Sequence, residues 1–131
     1  MVRTPAVTAL VIVLLSGCAS GIGRPVHSIE AVPDAAGVER VEVHMHSFYF
    51  EPNRIVVHSG RPVELTIKNS AIFVPHNFSI NDPALKVDVD KWGLGSAHVR
   101  FTAPAPGEYT FFCHVDEHGK KGMTGKLVVV R

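Results

Sequence analysis

Several things are scarce in this chain, and each scarcity excludes a class of protein. There are two cysteines, Cys18 and Cys113, far too few for a disulfide-built scaffold. The formal net charge is +1, from 13 basic and 12 acidic side chains, so neither a nucleic-acid partner nor a strongly charged substrate is indicated. The longest apolar run, AVTALVIVLL near the N-terminus, falls short of the roughly twenty residues that a bilayer-spanning helix needs. No segment keeps a 3.6-residue apolar period over three turns, so helices are not expected to build the fold.

What the N-terminus does contain is an export signal. Arg3 supplies a positive start, the apolar run follows, and Ser16-Gly17 is a small-residue cleavage site. Residues 1–17 are therefore expected to be a signal peptide. Leu15-Ser16-Gly17-Cys18 resembles the bacterial lipobox, which implies cleavage before Cys18 and acylation of its sulfur and new amine; two such signals anchor stably to a membrane. The expected product is an exported lipoprotein of the cell envelope, facing the periplasm or the exterior. If Cys18 carries lipid, Cys113 is left as an unpaired thiol in an oxidising compartment, and such a thiol needs an explanation.

Residues 18–38 mix Gly, Pro, Ser and Ala without period and read as a lipidated end followed by a flexible linker, with His27 solvated. From residue 39 to 131 the pattern changes to short strands in a single domain. Val41, Val43 and Met45 alternate with polar neighbours, as do Val63, Leu65 and Ile67, and Ala97, Val99 and Phe101; each set gives a strand one dry face. Further strands are expected at 55–57, 77–80, 108–113 and 126–130, separated by Gly, Pro and Asn breaks. The segment 83–96 reads as a long connection, with Trp92 as core or cover. Together these describe a small all-β sandwich or barrel.

The strand ending at Cys113 leads into CHVDEHGKKGM, which places Cys113, His118 and Met123 in one loop. A fourth donor must come from elsewhere, and His76 in VPHNF is the candidate. Thiolate and thioether are soft, imidazole is intermediate, and no carboxylate is needed. Two imidazoles, a thiolate and a weak axial thioether are the donors of a blue-copper centre, whereas structural zinc favours further Cys or His, and calcium or magnesium favours oxygen.

FEPNRIVVHSGRPVELTIKN, VPHNF, and FTAPAPGEYTFFC followed by the loop and GKLVV together resemble the cupredoxins of the plastocyanin, azurin and rusticyanin type, over about 90 residues. The resemblance implies a Greek-key β-sandwich binding one Cu(I)/Cu(II) ion, with His76, Cys113 and His118 as equatorial ligands and Met123 as axial ligand. It further implies that Asn77 ties the two ligand segments together beside the thiolate, and that the edge of His118 lies near the surface. The expected function is a monomeric shuttle passing single electrons between donor and acceptor redox proteins, bound to a membrane through its lipid. Copper delivery or tolerance is the alternative; enzymatic catalysis is disfavoured in a chain with room for one domain.

The other histidines carry less. Strand alternation aims His114 away from the ion. His44 and His46 share a strand face and offer two imidazoles, too few for tight binding, so an exposed polar face is the expectation. His58 and His98 are expected to be surface residues.

Overall fold

A computed structural model describes residues 24–131, so the expected signal peptide, Cys18 and the first part of the expected linker lie outside the described residues. The described chain forms ten strands: β1 Ser28–Glu30, β2 Glu39–His46, β3 Tyr49–Glu51, β4 Arg54–His58, β5 Pro62–Asn69, β6 His76–Asp82, β7 Leu85–Lys91, β8 Ser96–Thr102, β9 Gly107–Phe112 and β10 Thr124–Val130. One sheet has the order β1-β4-β10-β9-β6-β7 and the other β3-β2-β5-β8. The two form the sandwich that the alternation of apolar and polar residues predicts.

The alternation works as expected in β2, where Val41, Val43 and Met45 are buried, and in β5, where Val63, Leu65 and Ile67 are buried. These two strands run parallel with Val41 beside Leu65 and Val43 beside Ile67. A parallel pair cannot be closed by a tight turn; here the chain turns back beside β2 as β3, crosses to the other sheet as β4, and returns as β5. Beneath the metal-donor end lie three fully buried rings, Phe50, Phe78 and Phe111. Their centroids stand 4.9–5.7 Å apart, two contacts edge-to-face and one stacked, the arrangements aromatic quadrupoles favour. Each buried ring contributes roughly 2–3 kcal/mol of transfer free energy.

Two expectations need correction. Residues 28–38 are not free linker: β1 adds to the sheet parallel to β4, Ser28 beside Arg54, and Ala31 is buried in the core. The register is pinned by Asn53, whose carboxamide accepts from the His27 N–H at 2.8 Å and donates to the Pro25 carbonyl at 3.0 Å. The segment 83–96 is not a long connection either. LKVDVDK alternates, Leu85 and Val87 face the core, and the strand pairs antiparallel with β6 through a short turn at Asp82, whose carboxylate accepts from the Ala84 N–H.

At the end of the sandwich remote from the metal donors, fully buried Glu39 accepts from the His58 N–H at 2.9 Å, and its other oxygen lies 2.6 Å from His58 Nδ1. His58 is thus half a core residue rather than a surface one. A buried carboxylate is tolerated only with such partners, and this one ties β2 of one sheet to β4 of the other.

Candidate metal centre

Cys113 follows β9 and Met123 precedes β10. These strands are hydrogen-bonded neighbours, with Phe112 beside Thr124. The pairing continues into the loop, where the Cys113 N–H donates to the Met123 carbonyl at 3.1 Å and the Met123 N–H to the His118 carbonyl at 3.1 Å. Two glycines make the tight path possible. A Cβ at Gly119 would stand 2.9 Å from the Cys113 carbonyl oxygen, and Gly122 has φ +93°, which side chains other than hydrogen resist.

His76 arrives from a different part of the chain. It opens β6, and β6 pairs with β9 through Ser79 and Phe112 and through Ile80 and Phe111. That register brings His76 Nδ1 to 4.0 Å from Cys113 Sγ, and His118 Nδ1 lies 3.7 Å from the same sulfur. All three residues are buried and their donor atoms lie within 4.8 Å of one another. Among the described residues this is the His, Cys, Asp and Glu cluster with metal-binding geometry. Met123, whose side chain is fully buried, completes the loop's donors.

The donors fit a soft metal ion. Bonds of about 2.0 Å to imidazole nitrogen and about 2.3 Å to thiolate, in a plane at about 120°, put nitrogen about 3.7 Å from sulfur, close to both observed separations. Burial, reinforced by the neighbouring His118 and His46, lowers the His76 pKa to about 4, so this imidazole is neutral near neutral pH and can offer a lone pair. Its Nε2 is buried without a hydrogen-bond partner. No carboxylate joins the cluster. With the buried Met123 thioether the set is two nitrogens and two sulfurs, the chemistry of a type 1 copper centre.

Asn77 sits between the two ligand segments. Its N–H points at Cys113 Sγ at 3.4 Å, and its Oδ1 accepts from the His114 N–H at 3.3 Å. The Ser79 hydroxyl, 2.8 Å from Asn77 Oδ1, donates to Asp88 Oδ1 at 2.6 Å, and the Asn77 Nδ2 donates to the same oxygen at 2.6 Å. Hydrogen bonds from Ser79 and Asn77 hold the Asp88 carboxyl below its ordinary pKa. This second layer orients the thiolate-bearing segment, as outer-shell contacts do at metal sites generally. Sequence inspection singled out Asn77 but not Ser79 or Asp88; the alternation of LKVDVDK was the signal that could have placed Asp88 on the strand beside it.

Other histidines fall where chemistry leaves them unused as ligands. The His114 ring points outward and lies 3.0 Å from Asp88. His44 and His46 share a face with ring centroids 6.0 Å apart, but His44 lies 2.7 Å from Glu42 and 3.0 Å from Ser70, and His46 stacks on Tyr49. His118 differs from expectation. It is only 5% exposed, because Phe48 meets it edge-on with centroids 4.9 Å apart and Lys121 Nζ lies 4.5 Å from the centroid of the Phe48 ring. Phe48 has φ 67°, an unusual backbone for an aromatic residue. Trp92 corrects the sequence analysis outright: it is 67% exposed, neither core nor cover.

Fold and donor set together define a copper-binding β-sandwich protein. The cupredoxin-like domain model matches residues 6–129, and the chain belongs to that family. The iron multicopper oxidase fer1 of Mycosarcoma maydis is 35% identical over 85 residues, which are 65% of this chain and 13% of that relative; the chain thus spans a small part of that protein's length. Among solved structures, Na-dithionite reduced auracyanin from the photosynthetic bacterium Roseiflexus castenholzii superposes with TM-score 0.63 at 22% identity, covering 70% of this chain and 97% of the other. The metal-binding domain of the Streptococcus pneumoniae Cu(I)-exporting P-type ATPase CopA, with Cu(I), superposes with TM-score 0.61 at 18% identity, covering 82% and 99%. These likenesses are of fold.

Proposed function

We propose that this protein is an electron carrier with one type 1 copper, held to a membrane of the cell envelope by acylated Cys18, and that it passes single electrons between redox proteins. The observation that carries the proposal is the buried His76, Cys113 and His118 cluster, held from two directions by paired strands and by Asn77. In this assignment the buried Met123 thioether would be the fourth donor to copper. Copper bound there supplies a one-electron Cu(I)/Cu(II) couple. The chain supplies rigidity: the β9–β10 pairing holds Cys113 and Met123, the β6–β9 register holds His76, and the Asn77 N–H points at the Cys113 sulfur. Burial excludes water from the donors, and Phe48 separates His118 from solvent.

A second proposal, copper delivery or tolerance, is favoured by the likeness to the Cu(I)-binding domain of an exporting ATPase. Catalysis, the activity named for the multicopper oxidase relative, is the least favoured: among the described residues only one cluster with metal-binding geometry is present.

The test is an absorption titration of the protein with Cu(II), then cycling with reductant and oxidant, beside Cys113→Ser. A strong thiolate-to-copper band that saturates at one equivalent, bleaches and returns on cycling, and is absent from the variant supports the carrier. Rapid loss of copper to a chelator or apo acceptor on reduction supports delivery instead.

A further inference from the structure

Four large apolar side chains stand in solvent: Ile72 at 52% exposure, Phe73 at 97%, Trp92 at 67% and Leu94 at 73%. They occupy two loop tips at the metal-donor end. The first loop runs into His76, and the second follows Lys91, the residue paired with His76. Asn69 joins them, its carboxamide N–H groups donating to the Val74 carbonyl at 2.9 Å and the Lys91 carbonyl at 3.2 Å. The Lys91 ammonium is turned onto the carbonyls of Trp92 and Leu94 at 2.7 and 2.6 Å, which fixes the second tip with its apolar side chains outward. Sets of exposed bulky apolar residues mark contact surfaces.

The same end holds the start of the described chain. The Arg24 guanidinium lies 3.9 Å from the centroid of the Tyr49 ring, in a cleft that also includes Gly122 of the donor loop. The next residues are tied down by Asn53. Six residue steps separate Arg24 from Cys18, a reach of at most about 20 Å. The eight residues of β2 alone extend ~26 Å. A lipid on Cys18 therefore holds the donor end, and not the far end, against the membrane.

We propose that Phe73, Trp92, Leu94 and Ile72 dock into the interfacial layer of the bilayer to which Cys18 is anchored, so that the copper end faces the membrane. The inference rests on the lipid anchor of the proposed function. Phe and Trp suit this layer because their rings are apolar and the indole N–H still finds water. Redox partners that meet this face then carry their own centres at the membrane surface.

Trp92 is the chain's only tryptophan, so its fluorescence reports on the second tip alone. The acylated, copper-loaded protein, kept reduced, is reconstituted into phosphatidylcholine and phosphatidylglycerol vesicles. Expected are emission at shorter wavelength than in detergent-free Cys18→Ser protein, quenching by brominated acyl chains and protection from aqueous iodide. In Phe73→Ser with Leu94→Ser, the wavelength shift and iodide protection are reduced while the copper absorption, read after reoxidation, is unchanged. Acylated, vesicle-bound protein whose Trp92 stays fully open to iodide overturns the docking and leaves the anchor standing; such a surface would serve a protein partner. An unmodified Cys18 peptide by mass spectrometry overturns the anchor and the docking together.

Discussion

Acidifying the copper-free protein tests the buried imidazole directly. His76 ordinarily titrates near 6.5, and burial, with the charges of His118 and His46 adding to it, brings this to about 4 in the fold. The unfolded chain takes up a proton on His76 near pH 6.5 while the folded chain does so only near pH 4. Between those values unfolding binds a proton, so stability is full above pH 6.5, falls as pH falls, and levels off below about 4. The span is worth about 3 kcal/mol at 1.36 kcal/mol per pH unit. Asp34, Glu42, Glu64 and Asp88 are also held below their ordinary values of 3.8–4.5. Their contributions are present above those ordinary values and are lost at more acid pH, largely outside the His76 window. The assay is urea unfolding between pH 7 and pH 4 beside His76→Gln, comparing slopes against pH and not absolute stabilities. A variant whose curve runs parallel to that of the parent refutes burial of a neutral His76 as the source. Copper loading is expected to carry the parent's slope on below pH 4 instead of letting it level off, because metal holds the folded site against the proton while the unfolded chain still takes one up.

Three substitutions probe the surroundings. His58→Ala leaves the Glu39 carboxylate buried with only the backbone donor and is expected to cost about 2 kcal/mol, read by urea unfolding at pH 7. Gly125→Ala drives a Cβ into the Phe111 ring and to 2.6 Å from the Asn53 carbonyl oxygen; a loss of about 3 kcal/mol is expected, and an unchanged unfolding midpoint would contradict the close packing of Phe111 on this glycine. Phe48→Ala uncovers the edge of His118 and is expected to speed oxidation of the reduced copper protein by a small outer-sphere oxidant, measured by stopped flow, with the absorption band retained.

Alternation made most of the sandwich legible, since a period of two along VEVHM or VELTI has one physical meaning. It left out β1, whose three residues SIE carry no pattern and are ordered only by a parallel partner, β4, far along the chain. It also passed over β7, because the segment 83–96 taken whole shows no clear period, although LKVDVDK within it alternates. In the site, the loop donors were visible from spacing because Cys113, His118 and Met123 are local. His76 was named as the candidate fourth donor, but what brings it to the loop was not legible, since nothing in VPHNF states that β6 will lie beside β9. The Phe48 contact with His118 and the Glu39–His58 pair join residues distant in sequence, and no local pattern encodes such meetings.

The split between near and far donors has a consequence for how metal and fold influence each other. Cys113, His118 and Met123 travel together on one loop whether or not the chain is folded, so an unfolded chain retains a weak soft-metal binder. His76, 37 residues from Cys113, joins them only when β6 and β9 are in register. Copper stabilises the folded form only by the ratio of its affinities for the two states, and in this chain that ratio is set chiefly by the arrival of His76. The remote imidazole is thus the ligand through which the ion senses that folding is complete.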